Sequence, residues 1–258
     1  MSKKPLILIT NDDGIMAPGI RHLVKYMLEL GEVVVVAPDK PQSGMGHAVT
    51  MTVPLRLEKI TVNSDHDEYS CSGTPVDCVK LAVNKVLKRK PDLLVSGINH
   101  GSNASISVIY SGTMSAAIEG SMETIPSIGF SLLDYRFDAD FTPSKKYVQR
   151  IAANVLKHGL PKGVCLNVNI PAIPEEEIRG VKICRQARGN WNEEFDHRKD
   201  PTKKEYFWLT GQFVLHEDSN ETDIWALENK YISVVPTQFD FTAYNVISEL
   251  NTWKFEVE

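Results

Sequence analysis

The chain lacks most of what a membrane protein, a disulfide scaffold or a nucleic-acid binder would need. It has no apolar run long enough to cross a bilayer. No leader-like stretch follows Met1-Ser2-Lys3-Lys4-Pro5, which runs straight into a short strand, so a cytoplasmic protein with no membrane partner is expected. Its four cysteines, Cys71, Cys78, Cys165 and Cys184, form no CxxC pair. Their spacing offers neither a zinc site nor a disulfide framework, and buried free thiols are expected instead. An excess of positive charge is lacking as well: 28 Lys and Arg against 33 Asp and Glu give a net charge of −5, which argues against a broad basic face for a nucleic-acid polymer. A small anion held in a local pocket remains compatible with that balance. Finally, no GxGxxG follows the first strand, so a dehydrogenase reading lacks its phosphate loop.

What is present is a chain of 258 residues, 42% hydrophobic and 24% charged, enough for one large domain or one domain with an extension. Strand and helix signals alternate through the first part. Leu6–Thr10 is a near-continuous apolar run, as expected of a strand covered on both faces. Pro18 suits a helix first turn, and Gly31 is expected to stop that helix. Val33–Ala37 reads as a second strand, and Ala48–Ile60 as an extended or hairpin excursion. Thr74-Pro75-Val76-Asp77 predicts a capped helix running to about Lys88. Further strands are expected at Leu93–Ile98, Ser127–Leu132 and Val164–Ile170, with helices at Thr113–Met122 and Pro143–His158. Such alternation implies an α/β fold, a parallel sheet with helices on both faces.

The character changes near Ile178, which suggests a core over residues 1–178 and an extension over 179–258. Of 21 aromatic residues, 13 lie from Trp191 onward, so that segment needs a partner surface. Arg185–Asp196 and Glu205–His216 read as extended arms joined by His197–Lys204. An isolated hairpin is marginal in water, so the arms must pack on the core or on another subunit. Thr242–Asn251 reads as a closing helix.

The chemistry begins at Asn11-Asp12-Asp13-Gly14, two adjacent acids at the end of a buried strand. A capping turn accounts for one Asp but not for both. Two further loops follow parallel strands: Pro38–His47, which contains Ser43-Gly44, and Gly97–Asn103, which contains Asn99. All three would open on one edge of the sheet, where α/β proteins bind ligands. They offer carboxylates, a hydroxyl and amide oxygens, a set suited to Mg²⁺, Mn²⁺ or Ca²⁺ rather than zinc. His47 and His100 lie in the same loops as acid–base candidates, although loop histidines are usually only solvated. Tyr110-Ser111-Gly112-Thr113 leads into a helix, and amides at a helix start with nearby hydroxyls make an anion site. The same residues also suit an ordinary cap.

These blocks resemble the SurE family, the survival-protein phosphatases also described as 5′/3′-nucleotidases. The matching residues are Ile9–Gly14 with Ala17–Ile20, Ala37-Pro38 with Gln42-Ser43-Gly44, Ser72–Val79, Ser96–Asn103, and Tyr110–Thr113 with Ala116-Ala117 and Glu119-Gly120. The resemblance is dense over roughly the first 130 residues and thinner beyond, with echoes at Pro236-Thr237-Gln238 and Asp240-Phe241-Thr242. It implies a Rossmann-like, mostly parallel sheet. It also implies one divalent cation per subunit, Mg²⁺ or Mn²⁺, held by Asp12, Asp13, Ser43 and Asn99, and phosphate contacts from Asn99, Ser111, Gly112 and Thr113. The resemblance further implies a C-terminal hairpin exchanged between subunits, giving homodimers or homotetramers.

The expected reaction is metal-assisted hydrolysis of a nucleoside monophosphate, with Asp12, Asp13 and Asn99 at the reacting centre. Asp12 or Asp13 is the candidate to accept the water's proton. Base preference, 5′ against 3′ position and action on short polyphosphate are left open. The non-enzymatic alternative is a receiver-like signalling or nucleotide-binding domain. A receiver needs a phospho-acceptor Asp at the end of a later strand, and here that strand ends Ser96-Gly97-Ile98-Asn99. The hairpin expectation has a direct check: a solution mass of two or four chains agrees with exchanged arms, and a strict monomer rules them out.

Overall fold

A computed structural model describes residues 4–60 and 66–255; the first three residues of the N-terminal segment lie outside it. The central sheet has the order β3-β4-β2-β1-β5-β6-β7-β11-β8. Its strands are β1 (Leu6–Thr10), β2 (Glu32–Pro38), β3 (Leu57–Ile60), β4 (Asp67–Cys71), β5 (Leu93–His100), β6 (Ser127–Leu132), β7 (Val164–Ile170), β8 (Val181–Ile183) and β11 (Ile232–Gln238). From β4 to β7 every neighbouring pair is parallel. The flanks are antiparallel: β3 on β4 at one edge, β11 on β7 at the other. β8 and β11 lie beyond residue 178 yet complete this same sheet.

The alternation of side chains explains why both faces are covered. Ile7 and Ile9 of β1 join one apolar cluster with residues of α1 (Pro18–Leu28) and α4 (Lys145–His158). Leu6 and Leu8 join a second cluster with residues of α2 (Pro75–Leu81) and Ala116 of α3 (Gly112–Met122). Period-two alternation with an apolar residue at every position demands this two-sided burial. Each such side chain contributes roughly 1.5–3 kcal/mol when taken out of water. Helix α1 comes so close to the sheet that a Cβ on Gly19 would stand 2.0 Å from the Ile98 carbonyl oxygen.

Several sequence expectations change. Helix α1 ends at Leu28, and Gly31 does not cap it in a left-handed conformation. Gly31 is small for another reason: a Cβ there would stand 2.4 Å from the Pro5 carbonyl oxygen. Only Leu57–Ile60 of the expected Ala48–Ile60 excursion is a strand, pairing with β4. The part before it has no strand partner, and Met51 and Val53 are exposed. The Thr74–Asp77 capping box forms as expected and also fastens that loop: Thr50 N–H donates to Asp77 Oδ1 at 3.1 Å, and Thr74 Oγ1 donates to the Ala48 carbonyl at 2.7 Å. α2 gives way to a wider π-type turn over Ala82–Val86.

The arms are β9 (Gly189–Lys199) and β10 (Glu205–Leu215), starting four residues later than Arg185. Among the described residues they pair only with each other, as an antiparallel ribbon separate from the main sheet. Its root is fixed by buried Asp223 at the start of α5 (Asp223–Glu228), which accepts from Ser105 N–H at 2.8 Å and from Ala187 N–H at 2.9 Å. Ser105 itself holds φ at +53° and donates its hydroxyl to the Ala187 carbonyl. The closing helix is short, α6 (Tyr244–Leu250), with no buried residue.

All four cysteines are buried and free. Burial pushes the Cys165 thiol up to about 12 and Cys78 well above its ordinary value, whereas the Cys78 thiol, hydrogen-bonded to Cys71, lowers Cys71. An aromatic disulfide reagent at pH 8 is therefore expected to find no fast-reacting thiol in the native chain and four in urea. A fast native thiol contradicts this packing.

Candidate metal and phosphate site

The sheet order places the site. From β1 the chain moves to β2 on one side and later to β5 on the other, so β1 and β5 flank the point where the winding reverses. Loops leaving their C-terminal ends diverge there and open a crevice. Asp12 and Asp13 leave β1, and Asn99 and His100 end β5. The Pro38–His47 loop leaves β2 on the other side.

Hydrogen bonds then draw the loops together. Asn11 Nδ2 donates to the Gly14 carbonyl at 2.8 Å, closing the turn that carries both acids. Gln42 N–H donates to the Asp12 carbonyl at 2.7 Å, which brings neighbouring Ser43 to the first loop. His100 N–H donates to Asp13 Oδ2 at 3.2 Å. Gly46 N–H donates to the Tyr110 carbonyl at 3.2 Å, joining the second loop to the start of α3. Thr113 Oγ1 donates to Asp12 Oδ1. The sequence-predicted residues Asp12, Asp13, Ser43, Asn99, Ser111, Gly112 and Thr113 thus lie on four segments that are bonded to one another.

The detail of α3 differs from a plain hydroxyl cradle. Ser111 is the N-cap and accepts from Met114 N–H at 3.0 Å. The Thr113 hydroxyl is turned to Asp12. The first N–H groups of a helix have no acceptor within it, so Gly112 offers its backbone donor, while that of Thr113 is directed, like its hydroxyl, to Asp12. Glycine is required at 112 because a Cβ would stand 2.7 Å from Asp12 Cβ and 2.9 Å from Asp12 Oδ2. Asp12 therefore abuts the helix start itself.

Burial and the neighbouring Asp13 charge push Asp12 up to about 6, against the lowering effect of its Thr113 hydrogen bonds. Burial also raises Asp13, offset in part by the His100 hydrogen bond. Neither acid has a basic ion-pair partner among the described residues. The Asn11 side-chain oxygen is buried without a partner, as are the hydroxyls of Thr10 and Ser96, which face each other across β1 and β5. Asn99 Nδ2 donates to the carbonyls of His100 and Gly101, leaving its oxygen as the acceptor for a cation. No group of three or more His, Cys, Asp or Glu side chains gathers among the described residues, so a cation here would take two carboxylates with amide, hydroxyl and water oxygens. That donor set fits a hard divalent ion.

Of the two loop histidines, His47 turns away from the acids and meets Glu119 of α3 at 3.0 Å, where Lys80 also binds. Burial acts to raise Glu119, but those two partners outweigh it and leave it below its ordinary value. Glu119 thus anchors the Ser43 loop to α3, a role that no local sequence signal announces because its partners lie 39 and 72 residues away.

A family model described as survival protein SurE matches residues 7–193, more than half of the chain. A protein named 5′-nucleotidase SurE from Christiangramia forsetii is 62% identical over 253 residues, 97% of each chain. One of the same name from Flavobacterium psychrophilum is 63% identical over 251 residues, 97% of this chain and 98% of that one. Among solved structures, the SurE protein of Aquifex aeolicus matches with a TM-score of 0.82 at 40% identity, covering 96% of this chain and 98% of its own.

The contact between Asp12 and the start of α3 has a direct test. Gly112→Ala inserts a methyl where there is no room and is expected to cost about 1–3 kcal/mol, a fall in Tm of roughly 2–4 °C for each kcal/mol in a chain of this size. An unchanged Tm would show that the close approach is not a constraint.

Proposed function

The chain belongs to the survival protein SurE family and is a 5′-nucleotidase, and we propose that its hydrolysis of nucleoside monophosphates runs where the two acids meet the start of α3. The observation that carries this is the abutment of Asp12 and Gly112. A helix N-terminus attracts anions. Two carboxylates beside it would repel a phosphate unless a cation stands between them. Paired acids and an anion cradle in contact make sense together as a site for a metal and a phosphate ester.

In this reading Asp12, Asp13, Ser43 and Asn99 hold one divalent cation, Mg²⁺ or Mn²⁺. When bound, it neutralises phosphate charge and acidifies water. The chain's own groups do the rest. The Gly112 N–H and the Ser111 hydroxyl hold the phosphate oxygens as charge redistributes. For Asn99 to reach the same phosphate, its Nδ2 exchanges one of the two carbonyls to which it donates. The Thr113 hydroxyl orients Asp12, and the His100 N–H orients Asp13. One of these two carboxylates accepts the proton of the attacking water.

We also infer that the β9–β10 ribbon joins a second copy of the chain, giving a homodimer or homotetramer. Phe195, Phe207, Trp208 and Leu209 on it are each more than half exposed. Among the described residues no helix is long and apolar enough to cross a membrane. We also infer a cytoplasmic location, a reading that the buried free thiols support.

Phosphate release from a panel of 5′- and 3′-monophosphates and short polyphosphate, with and without Mg²⁺ or Mn²⁺, tests the reading. Metal-dependent release from the 5′-monophosphates is expected, and Asp12→Asn should lower turnover roughly 100-fold while the fold persists. Near-normal turnover in a folded, metal-saturated Asp12→Asn protein refutes the role given to Asp12.

A further inference from the structure

We propose that the cavity beside Asp13 takes the nucleoside half of the substrate, with the side chains of Tyr135 and Phe137 as the surface on which the base stacks. This rests on the nucleotidase reading above and names the residues that set its specificity. The cavity measures about 440 Å³, and Asp13, Met16, Lys40, His100, Tyr135 and Phe137 are among its lining. That volume lies in the range of small-molecule sites. Asp13 and His100 form part of the wall, so the cavity reaches one of the two acids, whose neighbour Asp12 abuts the start of α3. An ester held at the cradle has its leaving group on that side.

The rim is built and not merely exposed. Tyr135 is 74% and Phe137 81% accessible, which leaves ring surface bare. Yet the segment that carries them is tied down. The Tyr135 ring rests on the Gly101 backbone, where φ is +98° and a Cβ would stand 2.2 Å from Tyr135 Cε1. Arg136 grips Asp134 through two nitrogens, at 3.1 and 2.7 Å. The Arg136 carbonyl meets His100 Nδ1 at 2.9 Å, and the His100 ring lies edge-on to Phe141 with centroids 5.0 Å apart. His100 is the residue whose N–H holds Asp13. The aromatic rim is therefore fixed, through one histidine, to a carboxylate of the reacting centre. An apolar pair of rings held bare beside a phosphate site has no packing use, whereas every nucleobase presents a π-face to it.

Recognition by stacking predicts tolerance of all bases, with purines favoured over pyrimidines by their larger area. The experiment compares kcat/KM for AMP and for ribose 5-phosphate, which shares the ester but has no base. The native chain is expected to favour AMP. Tyr135→Ala and Phe137→Ala should each lower that ratio about tenfold, through KM more than kcat, and Tyr135→Phe should keep it. A ratio unchanged in both alanine variants, or an equal loss on both substrates, overturns the base platform and leaves the nucleotidase reading standing. Release of phosphate from neither compound by the native, metal-supplied chain overturns the nucleotidase reading itself.

Discussion

The site depends on a single electrostatic conflict. Asp12 and Asp13 carry two like charges at the buried end of the central strand, and the fold brings the start of α3 against the first of them. Desolvation raises both acids, the Asp13 charge raises Asp12 further, and among the described residues no lysine or arginine relieves them. Hydrogen bonds from Thr113 and His100 hold the carboxylates in place without cancelling their charge. A fold that fixes uncompensated acids this firmly is poised for a cation. The neighbouring segments are fastened around the same strand end, by Gln42 on the Asp12 carbonyl and Gly46 on the Tyr110 carbonyl.

Much of this was legible because it is local. β6 and β7 occupy the residues that their apolar runs predicted, and Thr74-Pro75-Val76-Asp77 forms the capping box that its spacing predicted. Parallel order alone implied that the loops after β1, β2 and β5 share an edge. The acids themselves were conspicuous because neither packing nor capping explains two of them together.

What was hidden is what distant partners decide. β4 contains Asp67 and Glu68, poor strand formers, and Glu68 is buried where Arg21 of α1 grips it at 2.7 and 2.9 Å and His66 Nε2 meets it at 2.5 Å. The Thr113 hydroxyl looked like a phosphate ligand and is engaged by an acid 101 positions earlier. Gly31 looked like a helix stop and is a contact with Pro5. β8 and β11 were invisible as sheet strands because one is three residues long and the other contains Pro236, tolerated where it lies beside Leu166 of β7. The aromatic rim carried no motif at all; its place is set by Gly101 and His100, more than thirty residues away in the chain.

Asp223 ties two parts of the molecule that the chain keeps apart. One oxygen holds Ser105, six residues past Asn99 on the loop that leaves β5; the other holds Ala187, at the foot of the ribbon. Because the two bonds share one buried carboxylate, the root of the ribbon and the loop after β5 are fastened to the same point. A second copy holding the ribbon, as proposed above, would thereby have a lever on the loop that follows Asn99 at the end of β5.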